Sequence, residues 1–130
     1  MPVNQRSAKV LIIDDEEGNR KLLEVLVQAD GHTTIPAASG EVGLALALSE
    51  QPDVVLLDLM MPGMDGFEVV QRLKRNRLTQ SLPIIVITAL DDVASNRRIL
   101  ASGADEFICK PVDRWELSLR LSRLLMHRHN

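Results

Sequence analysis

Residues 54–66 read VVLLDLMMPGMDG. The four leading apolar residues are too few for a helix and suit a strand buried on both faces, as strands inside parallel sheets are. Asp58 stands where that run stops. Pro62-Gly63 and Asp65-Gly66 are turn pairs, so Met61–Gly66 reads as a loop. At the C-terminal end of a parallel strand, Asp58 would lie on the sheet edge where ligands of such folds bind.

The same pattern recurs on either side. Lys9–Ile13 is followed by Asp14-Asp15, Ile84–Ile87 by Thr88, and Phe107–Cys109 by Lys110. Helical spacing fills the intervals. Arg20–Ala29 carries Leu22, Leu23, Leu26 and Val27, and Asp30-Gly31 stops it. Glu41–Ser49 and Phe67–Arg75 follow, then Asp92–Ser102 with Gly103 as its cap. Ala104–Cys109 reads as the last strand and Val112–His129 as the last helix. Thr33–Pro36 is short, weakly apolar and proline-bearing, which suits an edge strand. The expectation is an α/β fold of five β–α units. Its parallel sheet is doubly wound, (βα)5 and flavodoxin-like, in strand order 2-1-3-4-5. Residues 1–130 read as a single domain with its core over about 8–126.

Composition narrows the function. A hydrophobic content of 45% can furnish a two-faced core. A net charge of −3 and aromatics at 2% argue against nucleic-acid binding by bulk positive field or by stacking. No apolar stretch is long enough to span a bilayer, and Met1–Ser7 lacks the apolar core of a signal peptide. Cys109 is the only cysteine, which fits a reducing compartment. The expected location is therefore cytoplasmic. In such a fold Asp14, Asp15, Asp58, Thr88 and Lys110 would converge on one edge: carboxylates for a hard cation, a hydroxyl and an ammonium for phosphate oxygens, and one Asp free to act as nucleophile.

These motifs, taken in order, resemble the receiver domain of two-component response regulators, of the chemotaxis-regulator-like kind. They are Ile12-Ile13-Asp14-Asp15, Leu56 to Gly66 around Asp58, Ile87-Thr88-Ala89 and Lys110-Pro111. The resemblance covers residues 8 to about 126. It implies that Asp58 accepts a phosphoryl group from a histidine kinase, a phosphotransfer protein or a small phosphodonor, with Mg²⁺ (or Mn²⁺) as cofactor. Asp15 and Asp58 are then direct metal ligands, Asp14 acts mainly through water, and the Met60 backbone carbonyl adds an oxygen. Lys110 neutralises phosphoryl charge, Thr88 donates its hydroxyl and Ala89 its N–H, and the Lys110–Pro111 bond is cis. The chain would be no enzyme beyond its own phosphorylation and slow autodephosphorylation. Apolar Met60 and Leu90, at positions flanking the hydrolytic water in that family, make self-dephosphorylation slow.

The resemblance also makes Thr88 and Phe107 a switch pair that reports the phosphoryl group. On the last helix, Leu117, Leu121, Leu124 and Leu125 form a core stripe, with Trp115, Leu119 and Met126 nearly opposite. That second stripe suggests a partner face or a homodimer through the last strand and helix, with Arg97, Arg98, Asp113 and Arg114 available for salt bridges. His127 and His129 read as a solvated tail and Cys109 as a small core residue. A capping box from Asp14 to Glu17 is the plain alternative for Asp14. A downstream protein or output domain would receive the signal, whether the chain is a stand-alone regulator or the receiver portion of a longer protein. Three other functions compete. An aspartate-nucleophile phosphatase would need an acid two residues after Asp58, where Met60 stands. A flavin carrier would need a phosphate-cradling loop where Asp14-Asp15 stands. A receiver-like scaffold or interaction module would work without phosphorylation.

Overall fold

The computed structural model describes residues 7–89 and 93–128, the last two by backbone alone. Five parallel strands lie in the order β2-β1-β3-β4-β5, as the alternating pattern implies. They are β1 (Lys9–Ile13), β2 (Thr33–Ala37), β3 (Val54–Asp58), β4 (Ile84–Thr88) and β5 (Glu106–Cys109). Five helices alternate with them: α1 (Glu17–Ala29), α2 (Gly40–Glu50), α3 (Gly66–Arg75), α4 (Val93–Ala101) and α5 (Arg114–Arg128).

The continuous apolar strands are buried on both faces because each face has its own helical cover. Leu11, Ile13, Val55, Leu57 and Val86 point to a cluster completed by Val69, Val70 and Leu73 of α3 and Ile99 of α4. Val10, Ile12, Leu56, Ile85 and Ile87 point the other way, to Leu23 and Val27 of α1 and Leu117, Leu121 and Leu125 of α5. Alternate residues of one strand thus feed opposite cores. Two carboxylates pin the strand starts. Asp53, just before β3, accepts from the Lys9 N–H at 2.8 Å, and Asp105, just before β5, accepts from the Ile84 N–H at 2.8 Å.

Several boundaries differ from the sequence expectation. The first helix begins at Glu17, not Arg20, because its polar first turn carries no apolar signal. Leu22 is exposed rather than core-facing; the α1 stripe against the sheet is Leu23 and Val27, with Leu26 half-buried. β5 begins at Glu106, since Asp105 is engaged with β4. α5 begins at Arg114 because Asp113 acts as its cap, accepting from the Glu116 N–H at 2.8 Å. α4 ends at Ala101, and Gly103 follows with φ of +111°. Asp92, Leu90 and His129 lie outside the described residues, as do the side chain of His127 and most of the N-terminal segment. Cys109 is half-buried, so it is not the plain core residue expected.

Candidate phosphoryl-acceptor site

Strand register builds the site. β1 pairs with β3 so that Ile13 faces Leu57, which sets Asp14 beside Asp58 one residue further on. β3 pairs with β4 so that Asp58 faces Ile87, and β4 pairs with β5 so that Thr88 faces Cys109, with Lys110 next in the chain. The strand ends are held by Asp14 N–H to the Ala37 carbonyl at 3.0 Å, Leu59 N–H to Ile87 at 3.0 Å and Lys110 N–H to Thr88 at 2.7 Å. Residues remote in sequence therefore meet on one C-terminal edge, fixed by backbone ladders rather than by mobile loops.

Carboxylate oxygens of Asp14, Asp15 and Asp58 all lie within 4.8 Å of one another. Asp14 and Asp58 are buried, and Asp15 is exposed. Lys110 reaches Asp58 with Nζ 3.2 Å from Oδ1. Burial pushes the Asp14 carboxyl above the usual carboxylate range, against the pull of the Glu16 N–H and Lys110. Burial and then the neighbouring Asp14 push Asp58 up, while Lys110 opposes. Asp14 uses Oδ1 to accept from the Glu16 N–H at 2.9 Å, but its buried Oδ2 has no hydrogen-bond partner. An orphaned buried oxygen among crowded carboxylates is the donor set a small, hard divalent cation requires. The residues present fit such an ion. The N-cap of α1 is Glu16, without a side-chain cap bond, so Asp14 does not form the capping box with Glu17.

Thr88 is fully buried, Ala89 is exposed, and the Lys110–Pro111 bond is cis. Met60 turns its side chain outward, 63% exposed. Phe107 is half-buried and packs against the α3–α4 side of the core. Trp115, Leu119 and Met126 are 70%, 63% and 69% exposed, so the second stripe of α5 does face away from the sheet. Beside it, Glu106 accepts from Arg120 at 2.6 Å and Arg123 at 3.0 Å. The Arg98 guanidinium lies over the Phe67 ring, 3.9 Å from the centroid.

Gly66 carries weight that sequence reading missed. Its N–H bonds the Leu59 carbonyl at 2.9 Å, closing the loop back over the acceptor strand. A Cβ there would lie 2.7 Å from the Leu59 Cα and 3.0 Å from the Asp58 carbonyl oxygen. The only sequence signal was the Asp65-Gly66 pair, which reads as a turn. Asp65 caps α3, accepting from the Glu68 N–H at 3.0 Å.

Residues 10–122 match the family model described as the response regulator receiver domain. The chain is 42% identical over 118 residues to "Response regulator PleD" of Caulobacter vibrioides, covering 91% of this chain and 26% of PleD. It is 34% identical over 118 residues to "Protein PilH" of Pseudomonas aeruginosa, covering 91% of this chain and 98% of PilH. It superposes on the Vibrio cholerae chemotaxis protein CheY4 with a TM-score of 0.85 at 30% identity, over 92% of this chain and 99% of CheY4. The chain thus spans about a quarter of PleD but nearly the whole of PilH and CheY4.

Proposed function

Since the chain belongs to the response regulator receiver family, we propose that it is a phosphorylation-controlled switch with Asp58 as acceptor. The observation that carries this is the juxtaposition of three carboxylates and one ammonium on a single strand edge, with Lys110 3.2 Å from Asp58. An Asp58 oxygen attacks the phosphorus of a phosphohistidine or a small acyl phosphate. The new O–P bond gives an aspartyl phosphate, the P–N or P–O bond of the donor breaks, and the donor leaves with the electron pair.

The protein's part is positioning and charge. Asp15, Asp58 and the Met60 carbonyl would hold Mg²⁺ (or Mn²⁺) directly and Asp14 mainly through water, and the ion would neutralise the carboxylates and the incoming phosphoryl charge. Lys110, already against Asp58, meets a phosphoryl oxygen as a point charge. The Thr88 hydroxyl and Ala89 N–H supply further donors on the β4 side. Ala89 is small and exposed, which leaves the acceptor open to a bulky donor protein. Met60 has no group to orient a water, which supports slow self-dephosphorylation.

Thr88 and Phe107 sit on adjacent strands, with Val86 facing Phe107 and Thr88 facing Cys109. Movement of the Thr88 hydroxyl toward the phosphate, with Phe107 repacking from its half-buried position, shifts the population between two arrangements of the β4–β5 side. The exposed Trp115, Leu119 and Met126 stripe then offers the output surface, to a downstream protein, an output domain or a second copy. Residues 1–130 are taken as one receiver unit, and a histidine kinase or phosphotransfer protein as the upstream partner. The test is incubation with acetyl phosphate and Mg²⁺, read by intact mass. One phosphoryl group is expected on the parent and none with EDTA or in Asp58→Asn. Equal labelling of Asp58→Asn overturns the assignment.

A further inference from the structure

Helices α3 and α4 cover the same face of the sheet, and an open groove of about 840 Å³ lies along them. Four guanidinium groups line it: Arg72 and Arg75 on α3, Arg77 just beyond, and Arg98 on α4. They are not equivalent. Arg72 is held by Glu68 at 2.6 and 3.1 Å. Arg98 lies on Phe67, which occupies its flat face and leaves the N–H edge for a planar acceptor. Arg75 and Arg77 are exposed and have no carboxylate partner among the described residues. The stacked Arg98 is pre-oriented, and the two free arginines stand ready beside it.

The charge distribution selects the ligand. Four cations against Asp65 and Glu68 leave the groove at +2, so with a total of −3 the rest of the chain carries −5. A long polyanion would overrun this island and meet negative surface, whereas nucleic-acid binding needs a continuous basic track. Carboxylates on a short extended segment match guanidinium forks bidentately and fit within the island. We propose that the α3–α4 groove docks a short acidic segment of a partner protein. This surface is distinct from the acceptor edge and from the apolar stripe of α5, and it does not depend on the chemistry at Asp58.

The probe is a short fluorescein-labelled peptide of alternating Glu and Ser, titrated at low ionic strength and followed by fluorescence anisotropy. The double variant Arg75→Glu/Arg77→Glu is expected to bind about tenfold more weakly, as loss and reversal of two exposed ion pairs imply. Arg98→Lys keeps the charge but loses the fork, and is also expected to weaken binding. The control Lys21→Glu/Arg114→Glu makes the same net charge change elsewhere and should bind as the parent does. Both groove side chains are exposed, so the double variant should melt with the parent. Equal weakening in the control, undiminished binding by the groove variant, or tighter binding of a single-stranded thymidine oligonucleotide of equal length would each overturn the proposal.

Discussion

Asp14→Asn isolates the electrostatic tension at the acceptor edge. Asp14 and Asp58 carboxylate oxygens lie within 4.8 Å, so two negative charges there repel by at least about 3.5 kcal/mol at an effective dielectric near 20. The amide keeps an oxygen for the Glu16 N–H and places an NH₂ where Oδ2 now lacks a partner. Lost attraction to Lys110 offsets part of the gain, leaving a stabilisation of about 2 kcal/mol without metal. For a chain of this size that raises Tm by about 8 °C. The pH dependence follows from the direction of the shifts. Both folded-state pKa values lie above the unfolded value, so the native state favours the protonated carboxyls. Their contribution is fully present below the unfolded pKa of about 3.9 and is lost as pH rises through the raised folded values. The parent in EDTA should therefore lose stability from acid toward neutral pH, and Asp14→Asn should flatten that slope. Mg²⁺ at ten times its Kd restores about 1.4 kcal/mol to the parent and less to the variant, whose site carries one carboxylate charge fewer. The assay is thermal and urea unfolding followed by circular dichroism, with EDTA or Mg²⁺, across that pH range. A variant less stable than the parent at neutral pH in EDTA, or an unchanged pH slope, would refute the reasoning.

Other perturbations reach other parts of the structure. Lys110→Ala removes the 3.2 Å partner of Asp58 and should slow phosphoryl uptake from acetyl phosphate by about 100-fold, measured as an initial rate. Gly66→Ala forces a Cβ to 2.7 Å from the Leu59 backbone and should cost about 2 kcal/mol in urea unfolding, with the acceptor loop displaced. Trp115→Ala, at a 70% exposed position, should change monomer stability by less than about 0.5 kcal/mol. If the α5 stripe is the self-association face, the same change weakens the dimer by about 30-fold, and unchanged sedimentation of the phosphorylated variant would count against it.

The fold was legible because its central strands are uninterrupted apolar runs, and only a sheet covered on both faces buries such runs completely. Val54–Leu57 and Ile84–Ile87 needed no tertiary information. Residues whose role depends on a neighbour remote in sequence were harder to read. Leu22 shares helical spacing with Leu23 and Leu26, yet the rotation of α1 on the sheet leaves it in solvent. Asp53 and Asp105 look like turn residues until the register shows each accepting from a neighbouring strand. At the site, Asp14, Asp58 and Lys110 could be named because strand ends of a parallel sheet share an edge. Gly66 could not, since its requirement is a backbone approach that no spacing records. The stack of Arg98 on Phe67 is likewise absent from any spacing, because it arises only from the packing of α4 beside α3.

The most direct measurement locates the phosphoryl group. Borohydride cleaves an aspartyl phosphate and leaves homoserine at the acceptor position, which peptide mass spectrometry identifies. After treatment with acetyl phosphate and Mg²⁺, homoserine is expected at position 58 and nowhere else, and its yield should fall to background with EDTA. Homoserine at position 14 or 15, or none despite Mg²⁺ and an intact fold, would contradict Asp58 as the acceptor.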